Sequence, residues 1–265
     1  MSGKLATTMS ARPWGVDRLP PPFLSPADER IGEVWFTPPA ALDALLVKYI
    51  FTSQALSVQV HPCDADAPAG SRGKEECWYV IGAQPDAKLG IGFKQALSAD
   101  QLREAALSGE IEHLLDWHPA RPGDFFYIPA GTVHAIGAGI SLIEVQQNSD
   151  VTYRLYDYGR PRELHLDQGM KVALGERYPA ALHCHVPALG NADLVNGPHF
   201  RLDRIDGAPD PATAGRYHGA VLVLPLDAAL LVHGQTIAPG ECALAETMRA
   251  VEFGAGRSLI TQPVG

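Results

Sequence analysis

Residues 122–146 read PGDFFYIPAGTVHAIGAGISLIEVQ, and this stretch decides the fold class. A Pro-Gly turn opens it, and two short apolar runs follow at residues 125–128 and 141–146. Short apolar runs that are bounded by Pro and Gly are typical of strands, because buried helices need longer segments. The stretch therefore predicts closely spaced strands, with His134 in the turn region between them.

The same stretch has a weak copy near the end of the chain. Residues 122–146 align without a gap on residues 239–263 (PGECALAETMRAVEFGAGRSLITQP), with eight identical residues at a constant offset of 117. In the first copy these residues are Pro122, Gly123, Gly137, Ala138, Gly139, Ser141, Leu142 and Ile143. A duplicated β unit explains the match, and chance matching of common glycines and alanines is the alternative. Val251 stands where the first copy has His134, so only the first unit would keep its chemistry.

The composition agrees with a chain of many strands and turns. The 265 residues include 26 glycines and 22 prolines, and 46% are hydrophobic, which is enough for an ordinary core. This length fits one large β domain or two smaller ones. We predict a mainly β protein with a catalytic domain at residues 1–180 and a C-terminal β domain at residues 181–265.

Further elements follow from the apolar runs and turn residues. Strands are predicted at residues 31–36, 45–51, 56–61, 77–81, 152–156 and 220–224. One short helical insertion is predicted near residues 99–116, where Ser98 and Gln101 form a capping box at its start. Residues 1–30, 187–198 and 207–215 are expected to be irregular.

Charge and cysteine content restrict the class of partner. The net charge of −9 argues against a broad nucleic-acid-binding face. The four cysteines form no CxxC pair, and we find neither a signal segment nor an apolar run of membrane-spanning length. We therefore expect a cytoplasmic protein without a membrane partner, as a monomer or weak homodimer. A small anionic substrate would need a local cluster of Lys and Arg.

Four side chains have the spacing of a metal site. Gln59 and His61 are separated by one residue in an alternating strand, so both side chains point to the same face. Glu76 begins a further strand, and His134 follows a Pro-Ala-Gly turn. Two imidazoles, a carboxylate and an amide oxygen suit zinc, with a coordination position left for substrate or water. A single strand histidine is more often a hydrogen-bonding partner, so the hypothesis depends on all four residues together.

The surroundings of His134 resemble a known signature. Gly123, Pro129, Gly131 and His134 give the pattern G-x5-P-x-G-x2-H, which resembles the second signature of the cupin β-barrels. Longer segments resemble the type I mannose-6-phosphate isomerases, particularly their short bacterial form. These segments are LLVKYIFTSQALSVQVHP, GKEECWYVIG, PGDFFYIPAGTVHAIGAG and EVQQNSDVTYRLYDYGRPRELH. The resemblance covers roughly residues 12–175.

The resemblance implies a fold, a reaction and a set of site residues. It implies two tandem cupin-like jelly-roll barrels, the second degenerate, and interconversion of mannose 6-phosphate and fructose 6-phosphate through an enediol. The family's zinc ligands, for one Zn²⁺ per chain, fall on Gln59, His61, Glu76 and His134. Its other active-site residues fall on Lys74, Glu144 and Arg154.

Individual roles and the reaction class stay open at this level. Arg154 would stabilise developing charge or bind the phosphate, and Lys74 would be a proton shuttle, a phosphate contact or an ordinary loop lysine. Glu144 would be a base or a partner of the ligands. Two other functions compete, an iron dioxygenase and a non-catalytic sugar-phosphate-binding cupin with a structural metal. The first predicts dependence on Fe(II) and oxygen, and the second predicts binding without turnover.

Overall fold

The computed structural model describes residues 3–264, and the chain is mainly β, as the sequence predicted. The first strands are β1 (Gly3–Lys4), β2 (Thr7–Val16), β3 (Ile31–Phe36), β4 (Leu45–Phe51), β5 (Val58–Val60), β6 (Glu76–Ala83), β7 (Lys88–Phe93), β8 (Leu115–Pro119), β9 (Asp124–Ile128), β10 (His134–Ile136), β11 (Ile140–Gln147) and β12 (Tyr153–Tyr156). The remaining strands are β13 (His183–His185), β14 (Ala192–Asn196), β15 (Phe200–Asp206), β16 (Val221–Pro225), β17 (Leu230–Val232), β18 (Gln235–Ile237), β19 (Ala243–Ala245), β20 (Val251–Glu252) and β21 (Arg257–Pro263). The helices are α1 (Ala99–Ser108), α2 (Ile111–Leu114), α3 (Leu166–Val172) and α4 (Pro211–Gly215), with 3-10 turns at Ala40–Leu42, Ala180–Leu182 and Met248–Ala250.

The strands form two units, each with one large and one small sheet. The N-terminal unit has a large sheet of order β13-β9-β6-β11-β4-β3-β2 and a small sheet of order β12-β5-β10-β7-β8. The C-terminal unit has sheets of order β1-β19-β16-β21-β15-β14 and β18-β17-β20. β1 and β13 each complete a sheet of the other unit, so the units interlock across the boundary predicted near residue 180. That boundary stays a prediction.

The order of strands repeats between the units. The run β9-β6-β11-β4-β3 has its counterpart in β19-β16-β21-β15-β14. β20 begins 117 residues after β10, as the sequence alignment requires. Gly123 and Gly240 open the two copies with φ of +91° and +88°, a conformation that favours glycine. A shared topology supports duplication over chance matching, and closure of each unit into a barrel stays a prediction.

The gap-free alignment is wrong in the last strand of the repeat. Leu142 lies inside the N-terminal unit and Ile143 faces the other unit. The aligned residues are reversed, because Leu259 faces the other unit and Ile260 lies inside. Neighbouring strand residues point to opposite faces, so the two strands correspond with a one-residue slip. The register between β11 and β6 also shifts beside Ser141, where β6 has one extra residue, Ile81.

The interior of the C-terminal unit is an ordinary apolar core. Val251 takes the place of His134 and packs among buried aliphatic side chains. A row across its large sheet reads Asp203, Ile260 and Val223. Asp203 accepts a hydrogen bond from the Tyr217 hydroxyl at 2.6 Å and does not face a metal-binding group. An apolar core of this kind is what we expect of a second unit that has lost the histidine of the first.

Several predicted elements are confirmed and several are wrong. Strands 31–36 and 45–51 and the capping box of Ser98 with Gln101 are confirmed. The helical segment near 99–116 breaks at Gly109, whose φ is +84°, and continues as α2 and then β8. The expected irregular segments are wrong in part, because β2 lies in residues 1–30, β14 in 187–198 and α4 in 207–215, and α3 is an additional helix. Met1, Ser2 and Gly265 lie outside the described residues.

The two strands were missed because their pairing is irregular, so their residues do not alternate regularly along the chain. β2 pairs with β3 through two irregularities in register and carries Pro13, so its own sequence has no regular alternation. β14 is a short strand whose pairing with β15 also shifts in register. No helix within residues 3–264 is long and apolar enough to cross a membrane.

One apolar cluster joins the two units. It contains Val47, Tyr79 and Val145 from the N-terminal unit and Phe200 and Leu202 from the C-terminal unit, all buried. The large sheet of the N-terminal unit is therefore covered on both faces, by its own small sheet and by the C-terminal unit. Folding of the site-bearing unit should depend on the other unit.

The Leu202→Ala substitution tests this dependence. Leu202 is fully buried, so truncation should lower the free energy of unfolding by about 2–5 kcal/mol. All four tryptophans (Trp14, Trp35, Trp78 and Trp117) lie in the N-terminal unit, so urea unfolding followed by tryptophan fluorescence reports that unit alone. We expect the fluorescence midpoint to shift to lower urea. The exposed Leu189→Ala is the matched control, and an unshifted fluorescence midpoint in Leu202→Ala would contradict the shared core.

Candidate metal centre

Three buried side chains meet where the two sheets of the N-terminal unit face each other. His61 directly follows β5, and His134 begins the adjacent strand β10 of the small sheet. Glu76 is the first residue of β6 in the large sheet. One ligand atom from each of these residues lies within 4.8 Å of the other two. Residues that are 73 positions apart along the chain are thus brought together by strand pairing alone.

The carboxylate of Glu76 lies between the two imidazoles. Its Oε2 is 3.5 Å from His61 Nε2, and its Oε1 is 3.5 Å from His134 Nε2. Oε1 is buried and has no hydrogen-bond partner among the described residues. Because an unpaired carboxylate oxygen is costly in a protein interior, this oxygen is suited to a cation.

Backbone carbonyls orient both imidazoles. His61 Nδ1 lies 2.9 Å from the carbonyl oxygen of Val151, and His134 Nδ1 lies 2.9 Å from that of Thr132. Each ring therefore donates through Nδ1 and turns the lone pair of Nε2 toward Glu76. Metal-bound histidines in proteins are commonly held this way.

The surroundings keep both imidazoles neutral. Burial lowers the pKa of His61 well below its usual range, and the ammonium of Lys74 lowers it further. Burial lowers the pKa of His134 to about 4. Neutral imidazole is the form that binds metal ions, so the protonation state favours ligation.

The pKa of Glu76 changes in the opposite direction. Burial, followed by the nearby carboxylate of Glu144, raises the pKa of Glu76 to about 7. A divalent cation would oppose both effects because it stabilises the carboxylate. The two imidazoles and this carboxylate therefore fit a metal such as zinc in donor type, orientation and charge.

Gln59, the fourth predicted ligand, lies next to the group but presents its nitrogen. Its Nε2 is 3.3 Å from His134 Nε2, while its Oε1 accepts a hydrogen bond from the Ser57 hydroxyl at 3.2 Å. Ligation through Oε1 would require the side-chain amide to flip, so that its oxygen and nitrogen exchange positions. Gln59 as a metal ligand stays a prediction.

Lys74 contacts the same group from the cavity side. Its ammonium donates to His61 Nε2 at 2.9 Å and pairs with Glu76 Oε2. Glu144 Oε1 lies 3.7 Å from the same ammonium. Because His61 Nε2 has one lone pair, it either accepts this hydrogen bond or binds a metal. Metal binding would therefore move the ammonium away from His61 and toward the cavity.

Glu144 is held by two neighbouring strands. Trp78 Nε1 donates to its Oε2 at 2.9 Å, and Lys48 Nζ lies 2.8 Å from its Oε1. Burial alone would raise the pKa of Glu144, but Lys48, Lys74 and Trp78 outweigh burial and lower it to about 2. Glu144 is thus a fixed anion, held by one hydrogen bond from Trp78 and by ion pairs with Lys48 and Lys74.

The group opens into a cavity of about 430 Å³ in the N-terminal unit. Gln59, Lys74, Glu144 and Arg154, four of the seven predicted site residues, line it. Arg154 reaches it from β12, where its backbone pairs with that of Gln59. The structure thus places all seven predicted residues in or beside one cavity.

Sequence reasoning gave no site role to several cavity residues. These residues include Arg12, Glu33, Trp35 and Arg162. Lys48, one of the basic residues close to the quoted motifs, lines the cavity too and is the only charged residue of the otherwise apolar β4, whose seven residues are all buried. No such pattern marked Arg12, because β2 was predicted to be irregular.

Metal content tests the group directly. We expect the purified wild-type chain to retain about one zinc ion after dialysis, since three protein ligands are in place. His134→Ala and Glu76→Gln should each weaken zinc binding by more than about 100-fold, because even loss of a ligand's hydrogen-bond partner costs 10–100-fold. Elemental analysis and competition with a chromogenic chelator measure both quantities. His185→Ala removes a half-exposed histidine as the control, and unchanged zinc content in His134→Ala would contradict the assignment.

Comparison with known proteins agrees with this description. The chain is 43% identical over 170 residues to mannose-6-phosphate isomerase from Streptococcus mutans serotype c, covering 60% of this chain and 53% of that protein. It is 49% identical over 173 residues to mannose-6-phosphate isomerase ManA from Bacillus subtilis, covering 60% and 54%. The chain thus spans about half the length of the curated relatives that it matches. No protein-family model matches it.

Solved structures extend the similarity of fold to the whole chain. The mannose 6-phosphate isomerase of Bacillus subtilis superposes with a TM-score of 0.77 and 23% identity, over 98% of this chain and 99% of that one. A putative mannosephosphate isomerase from Archaeoglobus fulgidus superposes with a TM-score of 0.72 and 19% identity, over 99% and 97%. Nothing in these comparisons favours a dioxygenase or a non-catalytic cupin. The resemblance predicted from the motifs is therefore confirmed: this chain is related in sequence to the mannose-6-phosphate isomerases and has their fold.

Proposed function

We propose that this chain is a zinc-dependent aldose–ketose isomerase that interconverts mannose 6-phosphate and fructose 6-phosphate. The observation that carries the proposal is the buried group of His61, Glu76 and His134 beside a cavity rich in cations. The names of the sequence relatives support the same reaction.

One zinc ion per chain would be held by His61, Glu76 and His134, with Gln59 as a fourth ligand. When bound, zinc would supply Lewis-acid polarisation of the sugar oxygens at C1 and C2. The same residues hold the donor atoms in place before substrate arrives, so little reorganisation is needed during turnover.

The charge of the cavity suits a phosphorylated sugar. Five cationic side chains line it: Arg12, Lys48, Lys74, Arg154 and Arg162. Three carboxylates line it as well: Glu33, Glu144 and Asp150. The cavity thus carries excess positive charge in a chain whose net charge is −9. This local excess favours a dianionic phosphate ester over a neutral sugar.

Isomerisation through an enediol requires proton transfer between C1 and C2. Glu144 is poorly suited to this step, because a base is most effective when its pKa is near the working pH and the pKa of Glu144 is lowered to about 2. Lys74 contacts both the metal group and the cavity. We therefore assign proton transfer to Lys74. We assign Glu144 a positioning role, in which it holds Lys48 and Trp78 in place. Arg154 would stabilise negative charge on the substrate.

Three further properties stay predictions of the sequence. We place the protein in the cytoplasm, as a monomer or weak homodimer, with sugar phosphates as its small-molecule partners and no nucleic-acid partner. The net charge of −9 and the absence of CxxC pairs support these assignments.

A coupled assay for fructose 6-phosphate formation from mannose 6-phosphate tests the reaction. We expect turnover that a chelator abolishes and zinc restores, without Fe(II) or oxygen. His134→Ala should lose nearly all activity, because the metal group loses a ligand, and His185→Ala should keep it. Turnover unaffected by the chelator would remove the metal from the mechanism, and sugar-phosphate binding without turnover would favour the non-catalytic cupin.

Lys74→Met separates proton transfer from metal binding. The substitution keeps the length of the side chain and frees His61 Nε2 from its competing hydrogen bond. Zinc affinity should therefore be equal to wild type or higher, while kcat should fall by roughly 10²–10⁴-fold. Lys94→Met is the control, because Lys94 is an exposed lysine whose Nζ donates to the carbonyl oxygen of His113 and does not contact the metal group. A kcat within about threefold of wild type would exclude Lys74 as the proton-transfer residue.

A further inference from the structure

Three arginines surround one buried carboxylate just after β12. Asp157 is 2% exposed and accepts hydrogen bonds from two guanidinium groups. Arg160 Nη2 donates to Oδ1 at 2.7 Å. Arg162 binds side-on, with Nε donating to Oδ2 and Nη2 donating to Oδ1, both at 2.6 Å. Burial would raise the pKa of Asp157, but these two arginines outweigh burial and lower it, so the carboxylate is ionised.

The two arginines have different surroundings. Arg160 also donates to the carbonyl oxygen of Ala55 at 2.9 Å and lies over the ring of Tyr158, so it ties the loop to the small sheet. Arg162 instead lines the cavity. Its Nη1 has no hydrogen-bond partner within residues 3–264. Asp157 thus holds one edge of the Arg162 guanidinium and leaves the remaining nitrogen for a ligand.

Arg154 adds a second guanidinium to the same wall of the cavity. Its Nη1 donates to the carbonyl oxygen of Glu163 at 2.6 Å, while its Nε is buried and has no hydrogen-bond partner in the described part of the chain. Burial lowers the pKa of Arg154, and the neighbouring positive charges of Arg162 and Arg160 lower it further. Within residues 3–264, Asp157 is the one carboxylate that hydrogen-bonds to these three arginines, so positive charge is left uncompensated at the cavity.

We propose that Arg162, positioned by Asp157, binds the phosphate group of the substrate together with Arg154. The proposal rests on the proposed function, because it names the part of the sugar phosphate that this wall would recognise. A planar guanidinium with one edge fixed presents its free N–H groups at a defined angle to a phosphate oxygen. Asp157 is a positioning residue that acts through Arg162.

Steady-state kinetics and phosphate binding with the zinc-loaded protein test Arg162. We expect Arg162→Ala to raise KM for mannose 6-phosphate by roughly 10–100-fold, the range for loss of one charged hydrogen-bonding group, while kcat changes by less than about threefold. The dissociation constant of inorganic phosphate, measured by calorimetry, should rise by a similar factor. Arg103→Ala removes an exposed arginine that pairs with Asp167 and is the matched control. Equal KM and equal phosphate affinity in Arg162→Ala and Arg103→Ala would overturn the proposal.

A double-mutant cycle tests the positioning role. Asp157→Asn keeps the size of the side chain and removes its charge, so we expect a higher KM in the wild-type background, with kcat little changed. In the Arg162→Ala background the same substitution should change KM by less than about twofold, because the residue that it positions is absent. An equal effect in both backgrounds would show that Asp157 does not act through Arg162. Tryptophan fluorescence checks folding, and if Asp157→Asn fails to fold, Asp157→Glu replaces it in the cycle.

The phosphate measurement also separates this proposal from the proposed function. Phosphate binding that depends on Arg162 without isomerase activity would sustain the anion site and reject the isomerase. Isomerase activity with phosphate binding that is independent of Arg162 would sustain the isomerase and reject this anion site.

Discussion

Burial of four charged side chains inside the N-terminal unit is the constraint on which this structure depends. Lys48, Lys74, Glu76 and Glu144 are each at most 5% exposed. Each buried ion costs several kcal/mol unless opposite charge lies close by, so the two cations and two anions must interleave. Lys48 forms an ion pair with Glu144, and Lys74 lies between Glu144 and Glu76. Among the residues that the structure describes, one oxygen of Glu76 has no hydrogen-bond partner. It lies beside two neutral imidazoles, and a divalent cation there would balance its charge.

The C-terminal unit offsets the cost of this polar interior, because it covers the outer face of the large sheet of the N-terminal unit. Along β4 the alternate residues Val47 and Tyr49 pack against the C-terminal unit, while Lys48 points into the cavity. The large sheet is therefore buried on both faces, and one face is free to carry charge. The two copies of the β unit differ in their interiors. The N-terminal copy keeps the ionisable groups, whereas the C-terminal copy has Val251 in place of the histidine and supplies apolar cover for the N-terminal sheet.

Much of the candidate site was predictable, because its residues stand in local motifs. The alternation around Gln59 and His61, the turn before His134 and the start of a strand at Glu76 are all short-range patterns. Arg162 and Asp157 lie within a quoted motif, yet nothing local distinguishes an arginine that lines a cavity from one that anchors a loop. The slip between β11 and β21 shows the same limit, because identical residues at a constant offset still face opposite ways.

The sequence by itself determined the mainly β class, the positions of the central strands, the repeat and the candidate ligands. Turn residues and the two-residue period of strands act over a few positions, so they can be read along the chain. Only the tertiary structure decided which nitrogen of each histidine faces Glu76, which lysine neutralises Glu144, and how Asp157 holds Arg162 at the cavity. These properties depend on the register between strands that are far apart in the chain, where a shift of one residue reverses the direction of every side chain.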